Sequence, residues 1–119
     1  MAKVEVLFFD VLGTVVDWRG SIAADAQAFL QRHDAARIDA RALADAWIGR
    51  YSASSAAVRS GQRPFVPLDQ LNLENLHASL DQFGLAPASF PAAELEALNQ
   101  AWHRLRPWPD SVPGIARLK

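Results

Sequence analysis

The segment Val4–Phe9, read VEVLFF, constrains the fold more than any other part of the chain. It is apolar except for Glu5 and does not alternate. A short run of this kind reads as a β-strand buried on both faces, as in a parallel sheet. Such a strand needs neighbours, and nothing after Asp10 in the 119 residues reads as a second one. An unpaired apolar strand exposes its hydrogen-bonding edges, which natural proteins avoid. The expectation is that this is the N-terminal part of a longer design, or that another copy of the chain supplies the pairing.

Beyond the run the periodicity turns helical. Ile22, Ala26, Phe29, Leu30 and His33 share one stripe from Ser21 onward. Asp17 is placed to cap this first helix, and Asp39 to cap a second with Leu43, Ala46, Trp47, Arg50, Tyr51 and Ser54 on one face. That helix fades at Ser60-Gly61. A third carries Leu68, Leu71, Leu76, Leu80 and Phe83, with Gly84 as its stop. Pro91 opens a fourth, with Leu95, Leu98, Trp102 and Leu105 inward. Pro107-Trp108-Pro109 ends it, and Asp110-Ser111 starts a fifth that runs to Lys119. The chain itself therefore reads as mostly α, with one N-terminal strand and about four to five helices.

Charge and composition exclude several classes. A net charge of -1 offers no basis for binding nucleic acid or an anionic membrane. With no cysteine, disulfides, zinc-thiolate sites and cysteine nucleophiles are ruled out. No basic-then-apolar signal pattern opens the chain and no run is long enough to span a bilayer, so the expected location is cytoplasmic.

In open α/β sheets ligands sit at the carboxyl ends of strands, and Asp10 stands there. A carboxylate can attack as a nucleophile and split one difficult step into two. Gly13 permits a tight turn beside a ligand. Thr14 is placed to hydrogen-bond the Asp10 carboxylate, and the N–H groups of Val11 and Leu12 to face whatever binds it, as in an anion nest. The plain alternative is that Asp10 caps a turn after a strand.

The stretch FFDVLGTVVDW resembles the first motif of the haloacid dehalogenase superfamily, in which an aspartate after the first strand is the nucleophile. DWRGSI, AWIGRY, LNLENL and AWHRLRPWPDSVPG are similar to the type II 2-haloacid dehalogenases within it. The resemblance covers essentially the whole chain. It implies an α/β parent fold, a Rossmann-like core with a helical cap. Residues 1–16 would be the first core strand and nucleophile loop, 17–106 the cap, and 107–119 the return into the core. It implies attack by Asp10 on C2 of a small 2-haloalkanoic acid, loss of halide, and hydrolysis of the ester to a 2-hydroxy acid. Superfamily phosphatases carry a second aspartate where this chain has Leu12. That acid protonates an alkoxide leaving group, whereas halide needs no proton. Phosphatases also bind magnesium; the dehalogenases imply no metal and no cofactor.

Within the cap, a substrate carboxylate calls for a guanidinium. The family's arginine would fall just after Trp47, where this chain has Ile48. Arg50 lies two residues on, about 200° around a helix, and shares a face with Trp47 and Tyr51. It is a candidate for binding the substrate carboxylate, against a solvated arginine lying over an aromatic; Arg59 and Arg63 are weaker ones. Val11 and Leu12 are expected to hold substrate through their backbone. Trp18 is expected either to shield the pocket or to pack strand against cap. Trp47 and Trp102 read as core. His33, His77 and His103 have no metal-ligand spacing and read as surface or core residues.

The family's later motifs, a Ser/Thr-Asn segment, a lysine near the nucleophile and a water-activating acid, have no counterpart here. The only lysines are Lys3 and Lys119. The chain alone is therefore expected to be a poor catalyst or inactive. The rival expectations are a magnesium-dependent superfamily phosphatase and a non-catalytic helical module that pairs its strand with itself or a partner. Partners expected on the leading reading are a small 2-haloacid and either a homodimer mate or the remaining half of the core.

Overall fold

The computed structural model describes residues 2–119. Six α-helices dominate: α1 (Trp18–Arg32), α2 (Ala40–Gly49), α3 (Tyr51–Arg59), α4 (Leu68–Gln82), α5 (Ala92–Asn99) and α6 (Ser111–Leu118). Short 3-10 turns at Pro87–Ser89 and Gln100–His103 precede and follow α5. The only paired strands among the described residues are β1 (Val16–Asp17) and β2 (Arg106–Pro107), antiparallel to each other. They lie where the helical body begins and ends, so its two connections run side by side.

The mostly helical expectation holds, with two corrections of detail. The run Val4–Phe9 forms no strand. Its backbone makes no hydrogen bond among the described residues, and its side chains are exposed, Phe8 by 95%. A doubly buried strand requires flanking strands to pair with, and none is present among these residues. The second helix is two helices. The chain turns at Arg50, whose N–H bonds back to the Trp47 and Ile48 carbonyls. This break raises the helix count to six.

The core is built from the faces the periodicity marks. Ile22, Ala26, Phe29 and Leu30 of α1 meet Leu43, Ala44 and Trp47 of α2, Leu76 and Leu80 of α4, and Leu95 and Leu98 of α5. Leu68, expected inward, is instead 52% exposed at the first turn of α4. Tyr51 is likewise exposed because the break at Arg50 resets the helix phase. Surface ion pairs tie neighbouring elements. Arg19 grips Asp45 through two nitrogens at 2.8 Å and holds its carboxyl below the usual range, and Arg63 does the same to Glu74.

Both expected aspartate caps form. Asp17 Oδ1 accepts from Gly20 N at 2.9 Å, and Asp39 Oδ1 accepts from Arg41 N at 2.9 Å and Ala42 N at 3.3 Å. A Cβ on Gly20 would lie 2.2 Å from the Asp17 carboxylate, so glycine lets that carboxylate lie over the first turn. Asp17 also pairs with Arg106 in the ribbon, which joins the start of α1 to the return strand. Asp17→Ala should cost about 1 kcal/mol, read as a lower melting temperature, while Asp17→Asn, which keeps an acceptor, should stay near wild type.

Candidate active site

The residues after the apolar run fold into a compact turn. The Val11 carbonyl accepts from three amides: Thr14 at 3.2 Å, Val15 at 2.9 Å and Val16 at 3.2 Å. Gly13 N donates to the Val16 carbonyl at 3.0 Å. This closure requires φ of +87° at Gly13, a conformation glycine adopts without steric penalty. The turn brings Thr14 back over Asp10, and Thr14 Oγ1 donates to Asp10 Oδ2 at 2.8 Å. Both residues are exposed to solvent. The N–H groups of Val11 and Leu12 have no acceptor among the described residues. One carboxylate oriented by a hydroxyl, with two free amides beside it, is suited to nucleophilic attack next to a bound anion.

The return segment fastens this turn. Trp108 N and Ser111 Oγ both donate to the Val15 carbonyl, at 3.1 Å and 2.6 Å. The Trp108 indole N–H donates to the Gly13 carbonyl at 3.1 Å. Trp18 lies against the other side of Gly13, where an added Cβ would sit 3.7 Å from its indole nitrogen. Below the turn a cleft of about 360 Å³ is lined by Phe9, Thr14, Val15, Ser111, Ile115 and neighbouring residues of α6. A second cleft of about 360 Å³, between α1 and α2 at Gln27, Gln31 and Arg41, touches no residue of the Asp10 turn.

No protein-family model and no curated protein matches the chain. Solved structures do. A crystal structure of a defluorinating L-2-haloacid dehalogenase is 48% identical, with a TM-score of 0.85 over 90% of this chain and 43% of its own length. This chain belongs to the haloacid dehalogenase superfamily. A second L-2-haloacid dehalogenase is 41% identical, with a TM-score of 0.78 over 92% of this chain and 45% of its own. The L-2-haloacid dehalogenase of Xanthobacter autotrophicus, 22% identical with a TM-score of 0.69, shares the fold over 91% of this chain and 40% of its own. The chain thus spans less than half the length of the dehalogenases it matches.

Not every residue singled out from the sequence gathers at the haloacid dehalogenase motif. Asp10, Val11, Leu12 and Thr14 share the turn, and Trp18 borders it at Gly13. Trp18 also stacks on Trp102, with ring centroids 6.4 Å apart and planes 22° apart. Trp102 in turn meets Trp47 edge-on at 5.4 Å. Trp18 therefore joins the turn to the helical core, and its packing role is the one the contacts display.

Arg50 does not join the group. Its Nε donates to Ser79 Oγ at 3.2 Å, and one terminal nitrogen donates to Gln82 Oε1 at 2.9 Å and the Ala78 carbonyl at 3.4 Å. The guanidinium is engaged with α4. Its position at the break between α2 and α3 aims it there. Arg59 donates to Ser55 within its own helix, and Arg63 is held by Glu74. Two of the three histidines pair with carboxylates of other elements, His33 with Glu94 and His103 with Asp69 at 2.7 Å. No group of three His, Asp or Glu side chains converges on one point among the described residues.

Trp108 and Ser111 were not legible as site residues. The sequence marks them as a helix end and a helix start. Their bonds run to backbone carbonyls more than ninety positions away in sequence, and such acceptors leave no side-chain pattern.

Proposed function

We propose that Asp10 is the nucleophile of a hydrolytic dehalogenation of small 2-haloalkanoic acids, the reaction of the enzyme to which these residues belong. The Asp10 carboxylate attacks C2 of the substrate. A carbon–oxygen bond forms as the carbon–halogen bond breaks, and halide leaves with the bonding pair. Water then hydrolyses the aspartyl ester, releasing the 2-hydroxy acid and restoring the carboxylate. Thr14 orients Asp10, and the free amides of Val11 and Leu12 receive the substrate carboxylate or the ester oxygen. Residues 17–106 act as the cap over this site and 107–119 as the return to the core. The hydrolytic step has no assigned residue within this chain, whose lysines stand at positions 3 and 119.

The observation that carries this reading is the oriented carboxylate, Thr14 Oγ1 to Asp10 Oδ2 at 2.8 Å, with Leu12 beside it where a phosphatase needs an acid. The 48% and 41% identities to L-2-haloacid dehalogenases support it. A halide leaving group asks for no proton, so an apolar residue at position 12 is compatible with it. An alkoxide leaving group would go unprotonated.

Two assays separate the chemistries. Ion chromatography should detect halide released from 2-bromopropionate in an amount that approaches one equivalent of chain and then stalls. Magnesium-dependent hydrolysis of p-nitrophenyl phosphate should stay at the buffer rate. Phosphate-ester turnover without halide release would overturn the proposal.

A further inference from the structure

We propose that Trp108 and Ser111 are positioning residues for Asp10, holding the nucleophile turn in place from the return segment; this rests on the reading of Asp10 as nucleophile. Among the described residues nothing pairs with the run that precedes Asp10. The bonds to the Val11 carbonyl shape the turn but do not tie it to the rest of the molecule. Beyond its covalent continuation into β1 and the packing of Trp18 beside Gly13, the hydrogen bonds that do so come from Trp108 and Ser111.

Those ties fall on two carbonyls, Gly13 and Val15, on either side of Thr14. The Gly13 carbonyl belongs to the peptide group that enters Thr14 and the Val15 carbonyl to the one that leaves Val15, so the two ties bracket the Thr14–Val15 segment and restrict the direction of the Thr14 Cα–Cβ bond. The Thr14 hydroxyl then sets the Asp10 rotamer through its 2.8 Å bond. Ser111 is the first residue of α6, and its amide donates to the Trp108 carbonyl at 3.0 Å. The two donors therefore move as one unit. Trp108 is 37% exposed and is not among the core residues; its indole N–H is the one side-chain hydrogen bond it makes to the turn, beside the bond from its backbone amide. The β1–β2 ribbon brings this unit into range. The same segment that ends the helical body thereby aligns the nucleophile.

The test is NMR on the isotope-labelled chain, with Trp108→Phe, Ser111→Ala and Ser111→Thr as variants. Trp108→Phe and Ser111→Ala should each speed amide exchange at Thr14, Val15 and Val16 by about fivefold to tenfold, the equivalent of one hydrogen bond. The three-bond couplings that report Thr14 χ1 should change from single-rotamer to averaged values. Amides of α1 and α4 should stay protected. Ser111→Thr, which keeps the hydroxyl, should restore the wild-type couplings, a rescue that general loosening would not give. Should Trp108→Phe fail to fold, the Ser111 pair decides alone. Unchanged Thr14 couplings and turn exchange in folded Ser111→Ala would overturn the proposal. The absence of an Asp10 ester in the wild-type chain would instead count against the nucleophile, leaving the turn measurements to stand or fall separately.

Discussion

Asp10→Asn should abolish ester formation with 2-bromopropionate, lowering its rate by about a thousandfold or more, the scale of losing a covalent nucleophile. The substitution preserves size and leaves an oxygen for the Thr14 hydroxyl to donate to, so the turn should survive. What it removes is the anionic oxygen that forms the new bond. Thr14→Val bounds the effect from below. It deletes only the 2.8 Å orienting bond, and a single hydrogen bond of this kind is worth about 1 kcal/mol, or roughly fivefold in rate. A chain in which both variants lose activity equally would mean that Thr14 does more than orient. A chain in which neither matters would mean that the site lies elsewhere. Mapped mass spectrometry of the labelled peptide, with the rate taken from a time course, reads both.

Trp47→Ala should be the most destabilising single change in the helical body. Trp47 is 1% exposed, its indole N–H donates to the Asn72 carbonyl at 2.7 Å, and its ring meets Trp102 edge-on at 5.4 Å. It thus joins α2 to α4 and supports the tryptophan on which Trp18 stacks. Truncation removes the buried ring and leaves a cavity, a loss of about 3–5 kcal/mol. With a urea dependence of about 1–3 kcal/mol/M, the unfolding midpoint should fall by at least ~1 M. Trp47→Phe keeps most of the apolar volume and loses the hydrogen bond, so its midpoint should lie between wild type and Trp47→Ala. Equal midpoints for Trp47→Ala and wild type would show that the site collapses without cost and that the aromatic column is not structural.

The helical body was largely legible because its determinants are local. Periodic apolar positions such as Ile22, Ala26, Phe29 and Leu30, or Leu76 and Leu80, mark faces that are buried, and aspartates at 17 and 39 mark helix starts. The Asp10–Thr14 bond was also legible, since four residues separate the partners across a glycine turn. What was not legible is governed by distant or absent contacts. The apolar run at Val4–Phe9 has the composition of a buried strand, but a strand is a relation between segments, and the described residues contain no partner for it. Arg50 shares a helix face with Trp47 on an unbroken wheel. The turn at Arg50 and the acceptors offered by Ser79 and Gln82 on α4 decide where its guanidinium goes. The fastening of the turn by Trp108 and Ser111 depends on backbone acceptors, which every sequence has and no sequence advertises.

The central claim, that Asp10 is a nucleophile toward carbon bearing a halogen, is tested most directly by the mass of the chain after incubation with 2-bromopropionate. Replacement of bromide by a carboxylate oxygen should add one propionate unit, and peptide mapping should place it on Asp10. One bromide should be released per modified chain, and Asp10→Asn should stay unlabelled. An unmodified Asp10, or label found only on His33, His77 or His103, would contradict the account.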